Sequence, residues 1–230
     1  MSIYKGSEKL KDITIGSTKI DKVYKGSTLV FLKRHYTAGQ TLFEKTAAGT
    51  YTFSLAHPAR VCITLVGGGG GGISTSNSGG NGFAAGGGSG GYSYYETILE
   101  KGNYTVVVGD GGARALYGQD NTDHTAGNGG DSSITIPSGR LYAQGGRGGF
   151  SRYQSNYGGA STGGAGGWGN AKSGKQGQRV GEAYNTATDG GASVYNGYGK
   201  GGNGCATNPG GSLQGNTTNG GTGYVKIHAK

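Results

Sequence analysis

The sequence predicts an all-β protein: a short N-terminal β repeat, then a glycine-rich β body with inserted polyglycine-II-like segments and almost no α-helix. Three observations carry this. Residues 1–30 read as three ten-residue units, each with a Gly-Ser pair between apolar residues. Short alternating or β-branched runs recur from Thr41 to Ile227. Glycine accounts for 55 of 230 residues, 50 of them after residue 66. No amphipathic run of 3.6-residue period has useful length, and each glycine costs a helix about 1 kcal/mol.

The repeat aligns on Gly6, Gly16 and Gly26, each followed by serine (Ser7, Ser17, Ser27). Ile3, Ile13 and Val23 share one apolar position; Leu10, Ile20 and Val30 share another. A Gly-Ser pair between β-branched or aromatic residues marks a tight turn joining short strands. Units this small bury no face alone and stack on each other or on another chain. Residues 1–35 are therefore expected to form an attachment and oligomerisation segment, with a homotrimer favoured, and residues 36–230 the glycine-rich domain. Residues 1–66 hold ten Lys/Arg against four Asp/Glu, out of a net charge of +9 for the chain. Lys5, Lys9, Lys19 and Lys25 fall on the polar side of short strands, a device against edge-to-edge aggregation.

The body opens with a hairpin, Thr41 to Lys45 and Tyr51 to Leu55, turning at Ala48-Gly49. Val61 to Val66 is an apolar strand that runs into six glycines, Gly67 to Gly72. Further strands are expected at Tyr92–Leu99, Tyr104–Val108, Ser132–Ile136, Arg140–Ala143 and Tyr224–Ile227. Glycine at this density has three physical outcomes. A flexible linker gives no reason for strands between the glycines. A collagen helix needs abundant proline, and there are three prolines. A packed array of three-residue-per-turn extended strands lets backbones approach closely and exchange hydrogen bonds, and is the expected outcome.

The ordered series "VCITLVGGGGGG" (Val61 to Gly72), "GNYTVVVGDGG" (Gly102 to Gly112), "GGDSSITI" (Gly129 to Ile136), "AQGGRGG" (Ala143 to Gly149) and "GGTGYVKI" (Gly220 to Ile227) resembles the glycine-rich domain of bacteriophage tail-fibre and receptor-binding (adhesin) proteins, over residues 41–230. The N-terminal repeat resembles segments near the start of phage structural proteins. The resemblance implies a virion protein of a fibre or tip, assembled in the host cytoplasm. It implies non-covalent recognition of a bacterial surface receptor (a glycan or an outer protein) and attachment to other virion proteins through the repeat. The alternative is a purely architectural head-fibre or decoration protein. The later glycine runs are shorter and more interrupted than those of long-run adhesins.

Enzymatic chemistry is not expected, and no cofactor or metal is assigned. Gly169 and Gly174-Lys175 have phosphate-loop spacing, but Gln176 follows where a hydroxyl is needed. Asp120-Asn121-Thr122-Asp123-His124 reads as a solvated polar loop in preference to a metal site. His35, His57, His124 and His228 have no paired nucleophile motif. The start has no apolar stretch of a secretion signal, and no run of 18 apolar residues suits membrane insertion. Nucleic-acid binding is set aside, because a single Arg-Gly-Gly box at Arg147 in a nearly neutral glycine region supplies too few cations.

The remaining feature is aromatic decoration. Tyr153, Tyr157, Trp168, Tyr184, Tyr195 and Tyr198 stand among Ser, Asn, Gly and Gln. Rigid amphipathic rings with adaptable polar neighbours make loop-based recognition surfaces, so these six are the candidate receptor-binding residues. The competing role is packing over glycine strands; Trp168 leans to packing, while Tyr195 and Tyr198 stand open between the two.

Overall fold

A computed structural model describes residues 4–5, 8–9, 13–15, 17–76, 82–119, 123–152, 160–183, 187–205 and 217–230. All regular structure among them is β.

The repeat forms three antiparallel hairpins: Tyr4–Lys5 with Glu8–Lys9, Ile13–Ile15 with Thr18–Ile20, and Lys22–Lys25 with Thr28–Leu32. Their closing pairs are Lys5↔Glu8, Ile15↔Thr18 and Lys25↔Thr28, and in the third hairpin Gly26-Ser27 is the two-residue turn. In the third, Gly26 takes φ +60°, the left-handed conformation such turns require. Each hairpin is a separate two-stranded sheet.

Two four-stranded antiparallel sheets form the base of the body. One has the order Tyr92–Leu99, Ala59–Val66, Tyr224–Ala229, Thr41–Lys45; the other Gly139–Ala143, Ser132–Ile136, Gly102–Val108, Gly49–Leu55. Alternation sends one face of each strand inward. Phe53, Leu55, Val61, Ile63, Leu65, Leu99, Val106, Val108, Ile134, Val225 and Ile227 make a single buried core. Ala59–Val66 is buried at seven of eight positions because it is central in its sheet.

From this sandwich the strands run on into the glycine blocks, and there the hydrogen bonding changes period. Gly67 and Gly70 donate to Gly91 and Gly88, Gly68 and Gly71 to Gly130 and Gly127, and Gly69 and Gly72 to Gly221 and Thr218, all at 2.8–3.1 Å. Three successive residues thus bond three different antiparallel segments, and the fourth returns to the first. This is the pattern of an extended helix with three residues per turn and no internal hydrogen bonds. The carbonyls of 67–72 are taken by three parallel segments, through Gly112 and Ala115, Gly146 and Gly149, and Gly202. Segment 67–72 therefore lies at the centre of a hexagon.

Segment 86–91 is a second centre. It donates to 175–178, 199–202 and 144–147, and accepts from 67–70, 164–167 and Gly191. The two centres share the flanking segments around 144–149 and 199–203. The perimeter closes through bonds such as Gly127 to Ala113, Gly220 to Gly112, Gly221 to Lys200, Gly201 to Gly191, Gln178 to Asp189 and Gly174 to Gly167. Ten segments form two fused hexagons, equivalent to layers of three, four and three. The polyglycine-II-like array is thus a complete sandwich over the described residues, although its later glycine runs are short.

Small sheets cap the far end of the lattice. Ile73–Ser76, Gly82–Ala85, Ala115–Gln119 and Arg179–Ala183 make one; His124–Thr125, Phe150–Arg152 and Ala160–Thr162 another. Ile73, Ala85, Ala115 and Ala126 form a second, minor core there.

Candidate recognition surface

The lattice dictates where side chains can stand. A Cβ on Gly70 would meet the Arg147 carbonyl at 2.0 Å, and one on Gly87 the Gly70 carbonyl at 2.1 Å. The two central segments are accordingly glycine throughout, Ser89 excepted. Each perimeter segment turns a face away from the lattice, and in 110–113, 144–149, 163–168 and 189–192 two residues in three are glycine and the third points outward. The outward positions are exposed: Asp110 and Ala113, Gln144 and Arg147, Ala165 and Trp168, Asp189 and Ala192.

An outward face also leaves amides without a lattice partner, and the outward side chains accept from them. Gly145 donates to Asp131 Oδ1 (3.1 Å), Gly148 to Asn128 Oδ1 (2.9 Å), Gly190 to Asn203 Oδ1 (3.0 Å) and Arg114 to Asn219 Oδ1 (2.9 Å). Buried or half-buried backbone donors need partners, which accounts for Asn128, Asp131, Asn203 and Asn219 at these positions.

Trp168 occupies one outward position. Its amide donates to Gln144 Oε1 at 3.3 Å and its carbonyl accepts from the Gln144 amide at 2.8 Å, fixing its backbone to the next segment. The indole is 46% exposed and lies 5.4 Å from the Tyr142 ring at 40°. The packing role that its glycine neighbours suggested is thus not the whole of its environment, because no lattice segment among the described residues covers this face. Tyr142 is itself 37% exposed, and its carbonyl accepts from Ser93 Oγ (2.8 Å) and Tyr95 Oη (3.2 Å). On its ring sits the Arg140 guanidinium, 5.6 Å from the centroid and paired with Asp131 at 3.6 Å. Arg140, Tyr142 and Trp168 form a continuous exposed row, with Gln144 and Arg147 on the adjoining segment. Aromatic faces and a guanidinium side by side on one exposed surface suit stacking and cation–π contact with a ring-shaped or sugar ligand.

Tyr195 and Tyr198 are placed differently. Both flank a turn in which Asn196 and Gly197 have φ +47° and +84°, with Tyr198 donating its amide to the Tyr195 carbonyl at 3.0 Å. That is an Asn-Gly type I′ hairpin turn. Ser193 Oγ donates towards both carbonyls, at 3.0 and 2.6 Å. The rings are half-buried and complete a four-ring stack: Tyr92 to Tyr195 at 4.8 Å, Tyr195 to Tyr224 at 5.8 Å, Tyr198 to Tyr224 at 4.4 Å. Tyr224 is buried and donates its hydroxyl to Glu44 Oε1 at 2.6 Å; burial first, and Glu44 second, raise its ionisation well above the ordinary phenol range. Tyr153, Tyr157 and Tyr184 lie outside the described residues, but Phe150–Arg152, Ala160–Thr162 and Arg179–Ala183 beside them belong to the sheets capping the far end.

The segments that mimicked other sites are parts of the lattice. In 174–178, Gly174 donates to Gly167, Lys175 to Ser89 Oγ and Gly177 to Gly164, so amides that would cradle a phosphate are occupied. The Arg-Gly-Gly box at Arg147 is locked in 144–149. Among histidines, His35 and His57 do come together, with Asp21 beside them.

Sequence reasoning missed Tyr142 and Arg140, which read only as a strand. A signal was present: the Gly-Gly-X period in Gln144-Gly-Gly-Arg147 and Ala165-Gly-Gly-Trp168 marks the outward positions, and Tyr142 precedes Gln144 on the same run. A comparison with curated proteins gave no match. The model of the family described as glycine-rich domain matches residues 45–229, and the chain belongs to that family.

Proposed function

We propose that the protein is a bacteriophage structural protein of a fibre or tip that recognises a bacterial surface receptor without covalent chemistry. The observation that carries the recognition half of this reading is the exposed Arg140–Tyr142–Trp168 row on a rigid glycine lattice. A lattice whose two central segments carry a single side chain, Ser89, leaves specific contact to its outward residues, and rigid aromatics give contact area at low entropic cost. The phage assignment rests on the likeness to tail-fibre domains and on the repeat. Among the described residues its hairpins are separate two-stranded sheets, which are marginal alone, and this favours pairing with further copies, as a trimer, or with another virion protein. Weak single contacts gain strength from many copies on one particle. The architectural alternative draws on the same lattice as a stiff spacer.

The test is binding of the labelled protein to a panel of bacterial cells, parent against Trp168→Ala. Saturable binding lost in the variant supports recognition by this face. Absence of binding to any strain favours the architectural reading.

A further inference from the structure

Three polar groups from distant points of the chain meet where the N-terminal repeat joins the body. Asp21 lies between the second and third hairpins, His35 follows the strand Thr28–Leu32, and His57 sits in the turn between Gly49–Leu55 and Ala59–Val66. One ligand atom from each lies within 4.8 Å of the others. His35 Nε2 and Asp21 Oδ1 are 2.9 Å apart, and the two imidazoles stack with centroids 4.0 Å apart, 6° from parallel. The backbone holds them there: the Lys33 amide donates to the Asp21 carbonyl at 2.7 Å, and the His57 amide to Tyr36 Oη at 3.3 Å.

We propose that Asp21, His35 and His57 bind a divalent transition-metal ion of the zinc class, clipping the repeat to the glycine-rich body. Two neutral imidazoles and a carboxylate are a donor set for such ions and leave positions for water. Zinc-to-ligand distances of about 2.0–2.2 Å place donors 2.9 Å apart at roughly a right angle on the ion, so Asp21 and His35 already have a chelating separation. A metal lies in the plane of the imidazole that binds it, so the stacked rings cannot both ligate as they stand. His57 is exposed on a surface turn, and turning its ring about soft side-chain torsions brings its nitrogen to the same ion. His35 and Asp21 are held more tightly, being half-buried. Sequence reasoning left the histidines unassigned because His35 and His57 stand 22 positions apart, and only the fold brings them together.

The test is calorimetric titration of Zn²⁺ into the untagged, chelator-treated full chain, with parallel titrations of His57→Ala and Asp21→Asn. His57 is exposed, so its replacement leaves the fold intact, which circular dichroism verifies. The expected result is one zinc per chain for the parent and at least tenfold weaker binding for both variants. Zinc should also slow proteolytic release of residues 1–35 in the parent and not in His57→Ala. A parent that takes up no zinc, or a His57→Ala variant that binds it like the parent, overturns the site. Zinc uptake without protection of the repeat overturns the clip.

Discussion

A Cβ built on Gly70 stands 2.0 Å from the carbonyl oxygen of Arg147 and 2.2 Å from its carbonyl carbon. The Cβ position is set by its own backbone and the atoms that it meets are backbone, so no rotamer relieves the contact. Gly221 is the contrast: its nearest neighbour would be the Lys200 nitrogen at 3.3 Å. Gly70→Ala should cost about 3 kcal/mol or more by forcing lattice segments apart, and Gly221→Ala under about 1 kcal/mol. Thermal melts of the two proteins check this; equal melting temperatures would rule out the close packing.

Trp168 and Tyr142 offer exposed rings on fixed backbones. Interface energy concentrates in a few such side chains, each costing about 2 kcal/mol or more on truncation. Trp168→Ala and Tyr142→Ala should each weaken cell binding by about tenfold or more while moving the melting temperature little. Cell-binding isotherms beside melts separate the two effects.

Tyr195 and Tyr198 should behave in the opposite sense, since their rings cover Tyr224. Losing a stacked, half-buried ring removes apolar burial and an aromatic contact of about 0.5–1.5 kcal/mol. Tyr198→Ala should therefore lower stability by about 1–3 kcal/mol in denaturant titration. Unchanged stability with lost cell binding would return this pair to the recognition surface.

Alkaline pH should unfold the protein through its buried and half-buried phenols. Tyr224, Tyr92 and Tyr104 are all raised above the ordinary value of 10.0, each chiefly by burial. A group with its folded-state value raised holds its proton more tightly when folded. Its contribution is complete below the unfolded value and falls away as pH climbs past about 10 towards the folded one. Stability measured from pH 8 to 11 should be flat and then decline, and Tyr224→Phe should decline less steeply.

Amide exchange distinguishes a lattice from a linker. Gly88, Gly90 and Gly91 each donate to a carbonyl of another segment, at 2.8–2.9 Å, and lie buried. Their exchange should be slowed to the level of Ile63 in the core strand, because opening one segment breaks bonds to six neighbours. Random-coil rates there would contradict the packed array.

What the sequence determined by itself was local. The period-two run Tyr51 to Leu55 specifies a strand, because alternation has one solution in an extended chain, and the short apolar, β-branched run Val61 to Val66 specifies a buried one. Gly26-Ser27 specifies its hairpin turn, and glycine density excludes helix. The strand partners, the six-fold neighbours of Gly67 to Gly72 and the meeting of Asp21 with His35 and His57 were decided only by the tertiary structure. The reason is physical: glycine backbones are chemically identical, so nothing in a Gly-Gly run encodes which segment lies beside it. The sandwich strands at the base set that order by feeding each segment into its place. Trp168 shows the same division. Its place in a Gly-Gly-X period makes it point outward once the lattice exists, but only the finished hexagon leaves that side uncovered and brings Tyr142 beneath it.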